Sequence, residues 1–306
     1  MNDNSGNLFT FLKKAGEEVW FTQDAESLAL ESLGGANQAN LRWTSIEDQR
    51  VLAIGQVSTA NSTIISLANS PEQLGHLNLS LIKPEGRSAW LSAAYLLQRA
   101  AGSLLDVDPE EFVVGVQEST DGRGQIFVTD RLENGSGYTD RISQPAMFEE
   151  ILGLLGSGNR DGMGEFLRGP LHEGSCATSC YRCLMTYGNS PTHPLLDWRI
   201  GLDTVGLLTD GRLPTMTAPY WGRYQVTNDS DIHNLLCSIF LGQNVQIDED
   251  EEFPVVLAGD RALIVHHPLA SRDTPGMVAR LDQFVNAKPV SLFRLIRAPW
   301  SVFFAE

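Results

Sequence analysis

Positive charge is scarce in this chain, which carries 22 Lys and Arg against 38 Asp and Glu in 306 residues, for a formal net charge of −16. A surface of that sign repels phosphate and makes this chain alone a poor candidate for non-specific nucleic-acid binding. No run of Lys or Arg marks a local exception. Long apolar runs are missing too. None approaches the ~20 residues that a membrane-spanning helix requires, so no membrane partner is expected. The opening Met1-Asn2-Asp3-Asn4-Ser5-Gly6 is polar and lacks the basic-then-apolar order of an export signal. There is no G-x-x-x-x-G-K-[ST] phosphate loop, which argues against ATP hydrolysis, and no G-x-S-x-G or H-E-x-x-H motif.

Cysteine is also rare, and its placement is informative. Of four cysteines, Cys176, Cys180 and Cys183 fall with His172 inside the twelve residues His172–Cys183. A soluble chain of this length does not need cysteine for stability, and small core hydrophobes would not cluster in one loop. Thiolate and imidazole are the preferred ligands of zinc, and four of them make a closed, structural site. The C-x3-C-x2-C array supplies three ligands. His172 is favoured as the fourth because it stands four residues before Cys176, with Cys237 next and His193 and His233 further along. A disulfide or redox pair of Cys180 and Cys183 is the competing reading, but it leaves His172 and Cys176 unused. Thiols that bind metal, in a chain with no export signal, predict a reducing cytoplasm.

Residue patterning predicts an α+β fold: a mixed sheet with packed helices and a zinc-stapled loop, followed by a smaller β-rich C-terminal domain. The expected divisions are an N-terminal segment over 1–49, a zinc-binding domain over 50–211 and the β-rich domain over 212–306. Gly34–Asn37 reads as a turn, and the Val- and Ile-rich runs Arg50–Val57 and Thr63–Leu67 as strands. Ser88–Leu105 and Ala146–Leu155 show helical spacing, Phe112–Val116 and Gln125–Thr129 read as paired strands, and Gly156–Gly164 as a loop. After the cysteines, a helix is predicted from Pro194 through Val205. Further strands are predicted at Val255–Leu257, Ala262–His266, Phe293–Ile296 and Ser301–Phe304.

Other features carry bland readings. Gly135-Ser136-Gly137 follows a strand and reads as a turn, with Asp130 placed to orient it or to be solvated. His266-His267 reads as structural, and Asp248–Glu252 as a solvated acidic loop. Asn189, His193, Asp197 and Arg199 follow the cysteines, where they either hold a metal ligand or cap the loop and the next helix.

The stretch Cys176-Ala177-Thr178-Ser179-Cys180-Tyr181-Arg182-Cys183-Leu184, then Tyr187, Asn189, His193 and Leu196-Asp197-Trp198-Arg199, resembles the signature of the MrfA-type zinc-binding domain. That domain occurs at the C-terminal end of certain superfamily 2 DNA helicases and in DrmB-like proteins of the DISARM anti-phage system. The resemblance covers about residues 50 to 210 and is most specific from the cysteines to Arg199. The family usually carries cysteine at all four metal positions, whereas the first here is His172. Relatives often carry, or are encoded beside, a helicase motor, and this chain has none. The resemblance therefore implies a non-enzymatic bacterial accessory subunit that binds zinc, partners a superfamily 2 helicase and reaches DNA through that complex. Two other classes compete: a nuclease-like enzyme with its site after residue 212, and a structural zinc scaffold unrelated to DNA.

Overall fold

In the computed structural model, the described residues are the strands of 1–59 and residues 61–67, 76–119, 122–132, 135–159, 162–284 and 286–300. The chain divides into two units, Met1–Thr59 and Ala60–Glu306. In the first, β1 (Phe9–Lys14), β2 (Trp20–Gln23), β3 (Leu30–Ser32) and β4 (Ile46–Leu52) form one antiparallel sheet in the order β3-β2-β1-β4. The predicted turn at Gly34–Asn37 and the end of the run toward Val57 lie outside the described residues.

The second unit is built on α1 (Pro84–Leu105), which is 22 residues long. Proline in its first turn fits the preset helical φ, and the helix stops at Asp106, whose left-handed φ of 55° lets its N–H close on Gly102 O. Ala89, Ala93, Ala94, Leu96, Leu97 and Ala100 are all buried, so α1 is covered on most sides. On one side lies the antiparallel sheet β5-β7-β6, formed by β5 (Ser62–Ile65), β6 (Phe112–Glu118) and β7 (Gly124–Asp130). Along β7 every second residue is buried: Gly124, Ile126, Val128 and Asp130. That alternation is the period of a strand with one covered face. Gly124 permits the closest approach, since a Cβ there would stand 2.3 Å from the Trp90 indole of α1.

Short helices follow: α2 (Tyr138–Ile142), α3 (Pro145–Leu155), α4 (Met163–Arg168) and α5 (Pro170–Ser175). The Gly135–Gly137 turn before α2 is set by Asp130, whose Oδ2 accepts from Gly137 N at 2.9 Å and whose Oδ1 accepts from Thr139 N at 2.8 Å. The predicted loop through Gly164 ends earlier, because α4 already begins at Met163.

The helix expected from Pro194 starts later. Ser190–Leu195 is a 3-10 helix containing Pro194, Leu196 is extended, and α6 runs Trp198–Asp210. Asp197 decides the boundary, because its carboxylate accepts from Arg199 N and caps the new helix. Helix α6 crosses α1 at Gly201, where a Cβ would lie 2.8 Å from Leu96 Cδ1 and 3.0 Å from Ser92 Cβ.

Beyond α6 come a 3-10 turn at Pro219–Tyr224, α7 (Asp231–Ile239), and β8 (Val245–Asp248), β9 (Val255–Ala258) and β10 (Arg261–His266). Next are α8 (Pro275–Gln283), β11 (Ala287–Ser291) and α9 (Leu292–Arg297). The sheet order is β11-β10-β9-β8, antiparallel except for the parallel β10/β11 pair, which α8 connects. The strand expected at Phe293–Ile296 is therefore helix α9. Its apolar run is too short to show a period, and Arg297 folds back over the Phe293 ring at 3.9 Å, a helical i,i+4 contact. The strand expected at Ser301–Phe304 lies outside the described residues. The fold is α+β, and the part that follows α7 is rich in strand. One hydrophobic core takes residues from Ile65 to Leu295, and a smaller one gathers Phe253, Val255, Ala262, Ile264 and Met277. Among the described residues, no helix is long and apolar enough to cross a membrane.

Candidate metal centre

Helix α5 and the turn after it bring the metal-ligand candidates together. His172 lies on α5, and Cys176 ends the helix with its N–H on His172 O at 2.8 Å. The chain then turns back on itself, with Cys183 N and Leu184 N both donating to Cys180 O, at 3.0 and 3.1 Å. Cys180 N in turn donates to Cys183 Sγ at 3.0 Å. The ligand atoms of His172, Cys176, Cys180 and Cys183 all lie within 4.8 Å of one another. His172, Cys176 and Cys183 are buried, and Cys180 is partly so.

The spacing of these atoms is a test of fit for zinc. With Zn–S near 2.3 Å and Zn–N near 2.05 Å, the edges of a tetrahedron are about 3.8 Å between sulfurs and about 3.6 Å from sulfur to nitrogen. The observed separations are 3.8 Å for Cys176 to Cys183, 3.6 Å for Cys180 to Cys183, and 3.7 Å for Cys180 Sγ to His172 Nε2. A disulfide would need sulfurs about 2.05 Å apart. All four cysteines of the chain are free. The imidazole is set for its task as well: His172 Nδ1 pairs with Leu167 O at 3.0 Å. A proton held on Nδ1 leaves the Nε2 lone pair free for a metal. The residues present fit zinc.

Cys183 is biased toward thiolate. The hydrogen bond from Cys176 lowers its pKa most, with help from His172 and the Cys180 amide, while Cys176 keeps its proton in that pairing. A bound zinc would hold all three as thiolates. Three thiolates and a neutral imidazole leave the zinc site one net negative charge. Arg199, buried and stacked 4.1 Å over Trp198, is a cation whose field reaches Cys176.

The surroundings hold the loop from several directions. Trp198 packs edge-on against His172 with centroids 5.2 Å apart, and Phe166 covers it at 4.9 Å. Loop carbonyls are taken up one after another. Ala177 O accepts from Arg199 Nη1 at 2.7 Å and Tyr224 Oη at 2.9 Å, and Thr178 O accepts from Trp198 N at 2.9 Å. Met185 O accepts from Arg99 Nη2 at 3.0 Å, and Leu184 O from Asn189 Nδ2 at 2.8 Å. Asn189 and Arg199 thus brace the loop backbone, Asp197 caps α6, and none of them bonds a ligand side chain. Asp197 also meets Arg297 Nη2 at 3.3 Å, although burial pushes its pKa up against the pull of Arg297 and Arg199.

The other fourth-ligand candidates stand elsewhere. Cys237 is exposed on α7 with Sγ 3.5 Å from His233 Nε2. His193 Nε2 contacts Asn189 Oδ1 at 2.8 Å and Thr186 O at 3.0 Å. His267 is buried against Asp203 at 2.9 Å, and the acidic run closes a turn in which Asp250 accepts from Glu252 N and Phe253 N. Sequence reasoning did not find Trp198 as the wall of the site, nor Arg99 as its brace. Arg99 lies 86 residues before Met185, and nothing local connects them.

No curated protein and no solved structure matches the chain. Residues 93–184 match the family model of the MrfA Zn-binding domain, a span that runs from within α1 through all four candidate zinc ligands.

Proposed function

We propose that this chain is a non-catalytic accessory subunit whose zinc-stapled domain docks on a separate superfamily 2 helicase and helps it engage DNA in bacterial anti-phage defence of the DISARM kind. The observation that carries the reading is the match of residues 93–184 to the MrfA Zn-binding domain. A metal held by four protein ligands is coordinatively closed and has no position for a water or substrate, which suits a structural role. With a formal charge of −16, the chain leaves most phosphate contacts to its partner.

The test is purification of the tagged protein from its native host at native expression and low salt, with co-eluting proteins identified by mass spectrometry. Recovery of a helicase supports the reading, and unwinding by the reconstituted pair is then measured. Recovery of the chain alone overturns it in favour of an independent scaffold or enzyme.

A further inference from the structure

A cavity of about 310 Å³ opens beside α6, and two arginines line it, Arg168 and Arg212. In a chain this acidic, two guanidiniums facing one space are conspicuous, although Glu173 and Asp203 line it too. Neither forms an ion pair among the described residues. Arg168 is held by neutral acceptors, with Nη1 on Leu155 O at 3.2 Å and Gly156 O at 3.0 Å, so its direction is fixed while no carboxylate bonds it. Its guanidinium lies 5.6 Å from the centre of the Tyr220 ring. Arg212 lies against α6 where that helix has no side chain, since a Cβ on Gly206 would stand 2.8 Å from Nη2.

The acidic groups nearby are otherwise engaged. Asp203 accepts from Tyr220 Oη at 2.5 Å through Oδ1, and from Trp221 Nε1 and His267 Nε2, both at 2.9 Å, through Oδ2. Glu165 accepts from Gly158 N at 2.9 Å. Glu173 is the remaining carboxylate on the wall. Burial lowers the pKa of Arg168 most and Arg212 lowers it further, while Tyr220, Glu165 and Asp203 pull it back up.

We infer that this cavity binds a small phosphomonoester, with Arg168 and Arg212 gripping the phosphate and the hydroxyls of Ser157 and Thr215 within the same wall. Guanidinium forks match phosphate oxygens in geometry, and charge-assisted hydrogen bonds of this kind are stronger than neutral ones. The volume is at the lower end for ligand sites, enough for a phosphate on a group of about pentose size against Leu213, Ala218 and Pro219. The inference does not depend on a helicase partner.

Calorimetric titration of the zinc-loaded full chain tests it, with inorganic phosphate, ribose 5-phosphate and ribose as probes. Saturable one-site binding of both phosphate probes is expected, tighter for ribose 5-phosphate, with none for ribose. Arg212→Gln should weaken both by about tenfold or more and Arg212→Glu should abolish binding. Because Arg212 is exposed, both variants should keep the wild-type melting temperature. Absence of saturable binding up to about 20 mM of either phosphate probe overturns the inference. So does unchanged affinity in Arg212→Glu, and so does binding of inorganic phosphate without binding of ribose 5-phosphate.

Discussion

Replacing Cys180 with serine tests the metal centre at the ligand between the histidine and the turn. Cys180 Sγ lies 3.6 Å from Cys183 Sγ and 3.7 Å from His172 Nε2, so it links the histidine on α5 to the turn. Serine keeps the shape but offers a hard, protonated oxygen on a shorter bond, which neither reaches the same position nor suits zinc. Structural zinc sites carry an apparent binding free energy of roughly 10–16 kcal/mol, which is also folding free energy. One ligand of four then accounts for roughly 2.5–4 kcal/mol. In a unit of this size each kcal/mol moves the melting temperature by about 2–4 °C, so a fall of about 5–16 °C is expected. Zinc per chain is measured by plasma mass spectrometry, and melting is followed with and without a chelator. Wild type should hold about one zinc and the variant markedly less, and chelator should bring the two melting curves together. Cys237→Ser is the control, and both readouts should stay at wild-type values. Full zinc content and an unchanged melting temperature in Cys180→Ser would refute the site. Loss of zinc in Cys237→Ser would instead remove His172 as the fourth ligand.

Two other outcomes follow from the packing around this centre. Gly201→Ala would place a methyl group 2.8 Å from Leu96 Cδ1 at the crossing of α1 and α6, and should cost about 1–3 kcal/mol in urea unfolding while zinc content is retained. His266 is buried, and burial lowers its pKa from 6.5 to about 4. Between these values the unfolded chain binds a proton that the folded chain does not, so the stability is fully present above pH 6.5 and is lost as the pH falls toward 4. This one group should remove about 2 kcal/mol between pH 7 and pH 5. His266→Gln should reduce that slope whatever its effect at pH 7, and an identical slope in urea unfolding at the two pH values would contradict the assignment.

The four candidate ligands were legible because they are local: twelve residues of chain hold them, and a metal imposes its own spacing. Helix α1 was legible because its 3.6-residue period is intact over many residues, and the β6/β7 pair because two short apolar runs flank the Gly122-Arg123-Gly124 turn. Elements without an intact period were not. Strand β11 contains Lys288 and Pro289 and has little strand character, but it lies at the sheet edge beside β10, where a proline costs least. Helix α9 is six residues long and buried at Leu292, Phe293 and Leu295, and its polar row, Arg294 and Arg297, is too short to tell a helical period from a strand. The start of α6 was obscured by Pro194, which suits a first turn but here belongs to a 3-10 helix, while the cap falls to Asp197. Trp198 and Arg99 act on the loop across long sequence separations, and their roles exist only once α1 and α6 are packed together.

The depth of the site decides how far loss of the metal would spread. Helices α4 and α5 have six residues each, too few to be stable in isolation. If they and the cysteine turn stood apart as a ribbon, removing zinc would melt the ribbon and leave the rest of the unit intact. The burial argues otherwise. Cys183 and Leu184 are fully buried in the same core as Trp90, Leu96 and Trp198, and the edge of Trp198 rests on His172. Loop carbonyls receive their donors from α1, through Arg99, and from α6, through Trp198 and Arg199. Freed from the metal, the turn would withdraw acceptors from buried donors on both helices, and an unpaired buried polar group costs about 1–3 kcal/mol. The metal and the hydrogen bonds therefore act at two ends of one structure: zinc joins α5 to the turn, and the carbonyls join the turn to the α1–α6 pair. That coupling makes a shift in the cooperative melting of the whole unit, rather than a separate early transition, the signature expected when a ligand is lost.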